Sequence, residues 1–114
     1  MAKRYYLRLP DPKQAHGERI ELAFVSVGPT GIAEELQAAL RSPEYFERWR
    51  QQLDDPDGVE AGLGATDAQA VVMGNQADLH IDLTVTTELP AQVIRHRLTL
   101  LAGKHWQLRD VTFA

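Results

Sequence analysis

The run Asp78-Leu79-His80-Ile81-Asp82-Leu83-Thr84-Val85-Thr86 alternates polar and apolar side chains without interruption. Such alternation predicts a half-buried strand. Leu79, Ile81, Leu83 and Val85 share one face, and Asp78, His80, Asp82, Thr84 and Thr86 share the other. The same rule predicts a strand at residues 4–9, with Tyr5, Leu7 and Leu9 opposed to Arg4, Tyr6 and Arg8, before Pro10 and Pro12 break it. Residues 18–27 predict another. There Ile20, Leu22 and Phe24 oppose Ala23, Val25 and Val27, and apolar residues on both faces argue for a central position covered on each side.

After Gly28-Pro29 the period lengthens. Ile32, Leu36, Ala39 and Leu40 form a helical stripe running to about Arg41, with Thr30 as the expected cap. Ser42-Pro43-Glu44 predicts a second helix start, whose apolar face is Tyr45, Phe46, Trp49 and Leu53. Residues 54–66 carry no period. Residues 68–73 predict a short strand, and Gly74-Asn75 a hairpin turn into the alternating run. A last helix follows Pro90, with Ile94, Leu98 and Leu101 as its stripe and Gly103 as its stop. His105 to Phe113 predicts the closing strand, and the change of parity between Leu108 and Val111 calls for a bulge or a strand end near Arg109-Asp110.

With the first strand set aside, the order is βαββαβ, that of a ferredoxin-like α+β sandwich with an antiparallel sheet and helices on one face. The N-terminal strand is then extra, added at an edge or exchanged with a second copy. One domain spanning residues 1–114 is expected.

Composition narrows the chemistry. The chain has no Cys, which excludes disulfides, thiolate metal sites and cysteine nucleophiles, and fits a cytoplasmic location. No stretch approaches the roughly 18 apolar residues of a membrane span. The basic start, Met-Ala-Lys-Arg-Tyr-Tyr-Leu-Arg-Leu-Pro, lacks the apolar run of a signal peptide. The net charge of −4 is uneven: residues 1–53 carry +1, residues 54–88 carry −8 with no Lys or Arg, and residues 89–114 carry +3. An acidic middle argues against nucleic acid and for a basic protein, a cation or the chain's own basic end.

Asp78, His80 and Asp82 stand at alternate positions of the predicted strand, about 7 Å apart on one face. Carboxylate–imidazole–carboxylate suits a hard metal, or a His base oriented by an Asp, and equally suits the solvated face of a half-covered sheet. Arg95-His96-Arg97 points three ways from a helix, with Arg95 and His96 expected in solvent and Arg97 lying over the apolar stripe. Asp55-x-Asp57-Gly58 fails as a calcium loop, because Leu53 and Gly64 stand where ligands are needed. Gly28-Pro29-Thr30-Gly31 lacks the Lys and the spacing of a phosphate loop, and no nucleophile motif is present.

Binding rather than catalysis is therefore expected, without a cofactor. The partner is a protein, basic by charge, or a second copy of the chain. The expected contacts are Asp54, Asp55, Asp57 and Glu60 on the irregular stretch and Asp78, His80 and Asp82 on the sheet. The alternative is a small-molecule or metal-binding domain, an enzyme among the options, built on Asp78, His80 and Asp82.

Overall fold

A four-stranded antiparallel sheet carries three helices on one face in the computed structural model, which describes residues 1–114. In chain order the elements are β1 (Lys3–Leu9), α1 (Pro29–Arg41), α2 (Glu44–Arg50), β2 (Val71–Ala77), β3 (His80–Thr87), α3 (Ala91–Ala102) and β4 (Gln107–Phe113). The strands lie in the order β2-β3-β1-β4, each antiparallel to its neighbours. No helix is long and apolar enough to cross a membrane.

The first strand is the centre of the sheet, not an addition to it. Tyr5 sits opposite both Val85 and Val111, and Leu7 opposite both Leu83 and Leu108. Its apolar residues Tyr5, Leu7 and Leu9 are buried under the helices, as the alternation required. The expectation of a surplus or exchanged N-terminal strand is thereby overturned, and so is the strand at residues 18–27. That stretch is irregular. The N–H groups of Leu22 and Ala23 both return to the Arg19 carbonyl, at 2.9 and 3.0 Å, and Phe24 donates to Leu101 O at 3.0 Å. The Glu35 carboxylate accepts the N–H groups of Val25 and Ser26 at 2.8 and 2.9 Å. With a helix side chain and a helix-end carbonyl serving its backbone, the segment buries Leu22 and Phe24 without a ladder, while Ile20, Val25 and Val27 remain exposed.

The β2–β3 hairpin turns four residues later than Gly74-Asn75 suggests. Ala77 pairs with His80, so Asp78 and Leu79 are the two turn residues. Asp78 takes φ 59, the left-handed value that a type II′ turn needs at its first central position. Leu79 is consequently 81% exposed, whereas Ile81, Leu83 and Val85 are buried as predicted. Gly74 has a packing role instead: a Cβ there would collide with the carbonyl of Pro29, where α1 begins over β2.

α1 begins at Pro29 with Gly28 as its cap, ahead of Thr30, and buries Ile32, Leu36, Ala39 and Leu40. α2 buries Tyr45 and Phe46, and ends before Leu53. α3 stops at Gly103, whose φ of 66 supplies the expected C-terminal reversal. Of the bulge or strand end expected near Arg109-Asp110, the structure has the bulge: Tyr6 pairs with Asp110 and Leu7 with Leu108, which leaves Arg109 as the extra residue, and β4 continues to Phe113. β4 is an edge strand, exposed along its length except for half-buried Leu108.

Candidate functional site

Two surfaces hold the side chains that the sequence singled out, and they lie on opposite sides of the sheet. The first is the face that no helix covers. Pairing sets Arg4 between Thr86 and Thr112, Tyr6 between Thr84 and Asp110, and Arg8 between Asp82 and Gln107. Arg4, Tyr6, Thr84 and Thr86 line a shallow recess of about 660 Å³ that runs out to Met73 and Val71 on β2. Arg109, displaced by the bulge, joins Tyr6, Arg8 and Asp82 around a smaller recess of about 210 Å³. The Thr112 hydroxyl, followed by Arg4, holds the Tyr6 phenol below its ordinary range.

The carboxylate–imidazole–carboxylate trio does not assemble on this face. Asp78 is in the turn, off the strand and exposed. Asp82 accepts a hydrogen bond from Arg8 Nε at 2.9 Å, and that bond holds its carboxyl below the usual carboxylate range. His80 Nε2 stands 3.4 Å from Asp82 Oδ2 outside hydrogen-bond geometry, buried and without another partner. No group of three or more His, Asp or Glu side chains comes close enough to hold a metal ion. A two-residue turn cannot keep Asp78 in register with His80 and Asp82, and this is why the spacing read from the sequence fails. The face is also far from acidic, since Arg4, Arg8 and Arg109 stand among Asp82 and Asp110.

The second surface is the irregular segment that follows α2, residues 54–60, in the helix layer. Asp54, Asp55, Asp57 and Glu60 are all exposed there, around a 3₁₀ turn at Pro56–Gly58 and ahead of another at Ala61–Gly64. Arg50 holds the loop: its Nη1 donates to the Pro56 carbonyl at 3.2 Å and lies 3.7 Å from Asp57 Oδ1. Its main partner is Glu47, at 2.8 Å, one turn back on α2. Gln92 Nε2 donates to Glu60 Oε2 at 3.3 Å and ties the loop's far end to α3. The acidic loop and the sheet residues Asp78, His80 and Asp82 therefore do not form one surface.

Sequence reasoning also misjudged Arg97. It is fully buried rather than laid over the helix surface, and its guanidinium donates to the carbonyls of Leu63 at 2.9 Å, Ala65 at 3.3 Å and Ala39 at 3.4 Å. Ala39 belongs to the last turn of α1, whose unpaired carbonyls attract a cation. The guanidinium also lies 4.8 Å from the centre of the Phe46 ring. Burial lowers its pKa to about 10. His96, expected in solvent, is half-buried against Trp49, with ring centres 4.4 Å apart. Asp67 counted in the sequence only as one of the eight acids of residues 54–88. It accepts from Thr87 Oγ1 at 2.6 Å and from the N–H groups of Gln69 and Glu88 at 2.9 and 3.1 Å, and so locks the entry to β2 onto the end of β3. The bond from Thr87 leads in holding its carboxyl below the usual range.

No protein-family model, curated protein or solved structure matches the chain.

Proposed function

We propose that this is a protein-binding domain that takes a basic partner on the loop from Asp54 to Glu60. The observation that carries the reading is a local charge imbalance. Asp54, Asp55, Asp57 and Glu60 are exposed on one short segment, Glu47 stands beside it, and Arg50 is the one base paired there. Exposed uncompensated carboxylates attract a basic surface at long range and raise its encounter rate, an effect that salt suppresses. The sheet residues His80 and Asp82 and the turn residue Asp78 have no part in this reading, because they stand apart from the loop and Asp82 is already paired with Arg8.

A ferredoxin-like sandwich is the fold that goes with this reading. It is supported by the element order, with α1 and α2 counted as one crossover, and by a sheet order that reads β4-β1-β3-β2 from the other edge. A cytoplasmic setting is supported by the cysteine-free composition.

The test compares the wild type with a variant carrying Asp54→Asn, Asp55→Asn, Asp57→Asn and Glu60→Gln. Both are immobilised, exposed to lysate of the source cells and eluted with rising salt. A basic protein retained by the wild type, released by salt and missing from the variant supports the proposal. Equal capture by both overturns it.

A further inference from the structure

β4 leaves its outer side free, and its side chains read alike in both directions from the Arg109–Asp110 bond. Leu108, Val111 and Phe113 lie opposite Leu7, Tyr5 and Lys3 on the helix side, and Trp106 packs against the same core. Gln107, Asp110 and Thr112 lie opposite Arg8, Tyr6 and Arg4 on the other side, which Arg109 shares. The bulge creates this symmetry, because it brings Leu108 and Val111 to one face despite their odd spacing.

The backbone is disposed to match. Ala114 N donates to Ala2 O at 3.2 Å, which marks a bonded pair of the ladder. Alternation from there turns the N–H and C=O groups of Val111 and Phe113 outward. Val111 N–H donates to Asp110 Oδ1 of its own strand at 2.8 Å, a local bond that pairing would exchange for one across the edge. At the opposite edge of the sheet, Val72 N–H is already closed by Gln37 Oε1 of α1 at 3.0 Å. Phe113 is 73% exposed and Val111 41%, on a strand with neither Lys nor Pro to guard it.

We propose that the chain forms a two-fold dimer by pairing β4 with β4 of a second copy, Arg109 of each facing Asp110 of the other. In this register Leu108 meets Val111, Trp106 meets Phe113 and Gln107 meets Thr112. The two four-stranded sheets join into one. Two Arg–Asp pairs form on one side and an apolar stripe closes on the other. A slip of one residue would set Asp110 against Asp110, or Arg109 against Arg109, so the charges also fix the register. The interface does not involve the acidic loop, and the two proposals stand or fall separately.

Sedimentation velocity of the full chain over a wide concentration range tests the dimer, with circular dichroism showing that each variant is folded. The wild type is expected to be a dimer. Arg109→Asp and Asp110→Arg, which oppose like charges, are each expected to weaken it by about tenfold or more. The double variant R109D/D110R is expected to restore it, and an equimolar mixture of the two single variants to give a mixed dimer. Val111→Lys, at an exposed position, breaks the same edge by a second route. The variant lacking the loop acids is expected to remain dimeric. A wild type that stays monomeric, a dimer indifferent to R109D, or a double variant no better than the single ones would overturn the proposal.

Discussion

Arg97 Nη1 lies 3.0 Å from His96 Nδ1, and because a guanidinium can only donate, this contact assigns the imidazole proton to Nε2. Nε2 is buried and has no partner, so His96 holds a neutral ring between Trp49 and a buried cation. Burial, with the charge of Arg97 added, pulls its pKa down to about 4.

That shift makes stability depend on pH. The unfolded chain takes up a proton near 6.5 and the folded chain only near 4, so between those values the unfolded state binds more protons. The contribution of the neutral ring is complete above the unfolded value and is lost as pH falls toward the folded one, by up to about 3 kcal/mol. Urea unfolding at about pH 7 and about pH 5 should show the loss in the wild type, and His96→Phe should reduce it. An equal loss in both proteins would contradict this account. Asp67 and Asp82, whose carboxyls sit below their ordinary range, add a separate loss at lower pH, since their contributions disappear as pH falls through the folded values.

Arg97→Met tests the guanidinium as a clamp. The change keeps an apolar stem and removes a buried charge, which is favourable, but it strands three carbonyls and frees the 61–65 segment from α3. The stranded acceptors should dominate, for a net loss of about 2–4 kcal/mol in denaturant titration. Amide exchange should rise first around Leu63 and Ala65. Stability unchanged from wild type would mean that the carbonyls find water at little cost.

Gly74→Ala tests the approach of α1 to β2. The added methyl meets the Pro29 carbonyl, a backbone atom that cannot rotate away, so the first turn of α1 has to move. A loss of about 1–3 kcal/mol is expected, with chemical-shift changes concentrated at residues 28–32 and 72–76. Gly62→Ala is the control, since a Cβ at Gly62 meets nothing within 4 Å.

The elements most legible in the sequence were those whose pattern and packing agree. Ile81, Leu83 and Val85 lie on the core side of β3 as the alternation indicated, Gly103 ends α3, and the parity break at Arg109-Asp110 marks the bulge. Residues 18–27 misled because alternation records which side chains are buried, not how the backbone is bonded. Leu22 and Phe24 do reach the core, but both flanks of β1 are taken by β3 and β4. Gly74 misled because glycine serves close packing as readily as turns, and a local pattern cannot tell which. The open face was half visible, in the polar sides of residues 4–8 and 80–86. That they meet there depended on β1 being central. Arg97 and His96 were hidden for a related reason, since their surroundings come from residues 39, 49 and 63–65, which nothing local connects to α3.

Asp78 now has a structural account, which its substitution can check. In the turn its side chain matters less than its φ of 59, a value that costs an L-residue energy and glycine little. Asp78→Gly should therefore stabilise the hairpin by about 0.5–1 kcal/mol, set against glycine's greater freedom in the unfolded chain. Asp78→Val should lose more than about 1 kcal/mol, because a β-branched side chain fits the left-handed region poorly. Thermal and urea unfolding of the two variants give the order directly. A glycine variant weaker than wild type, together with a valine variant as stable, would show that Asp78 contributes through its carboxylate, and the hairpin would have to be redrawn with the turn elsewhere.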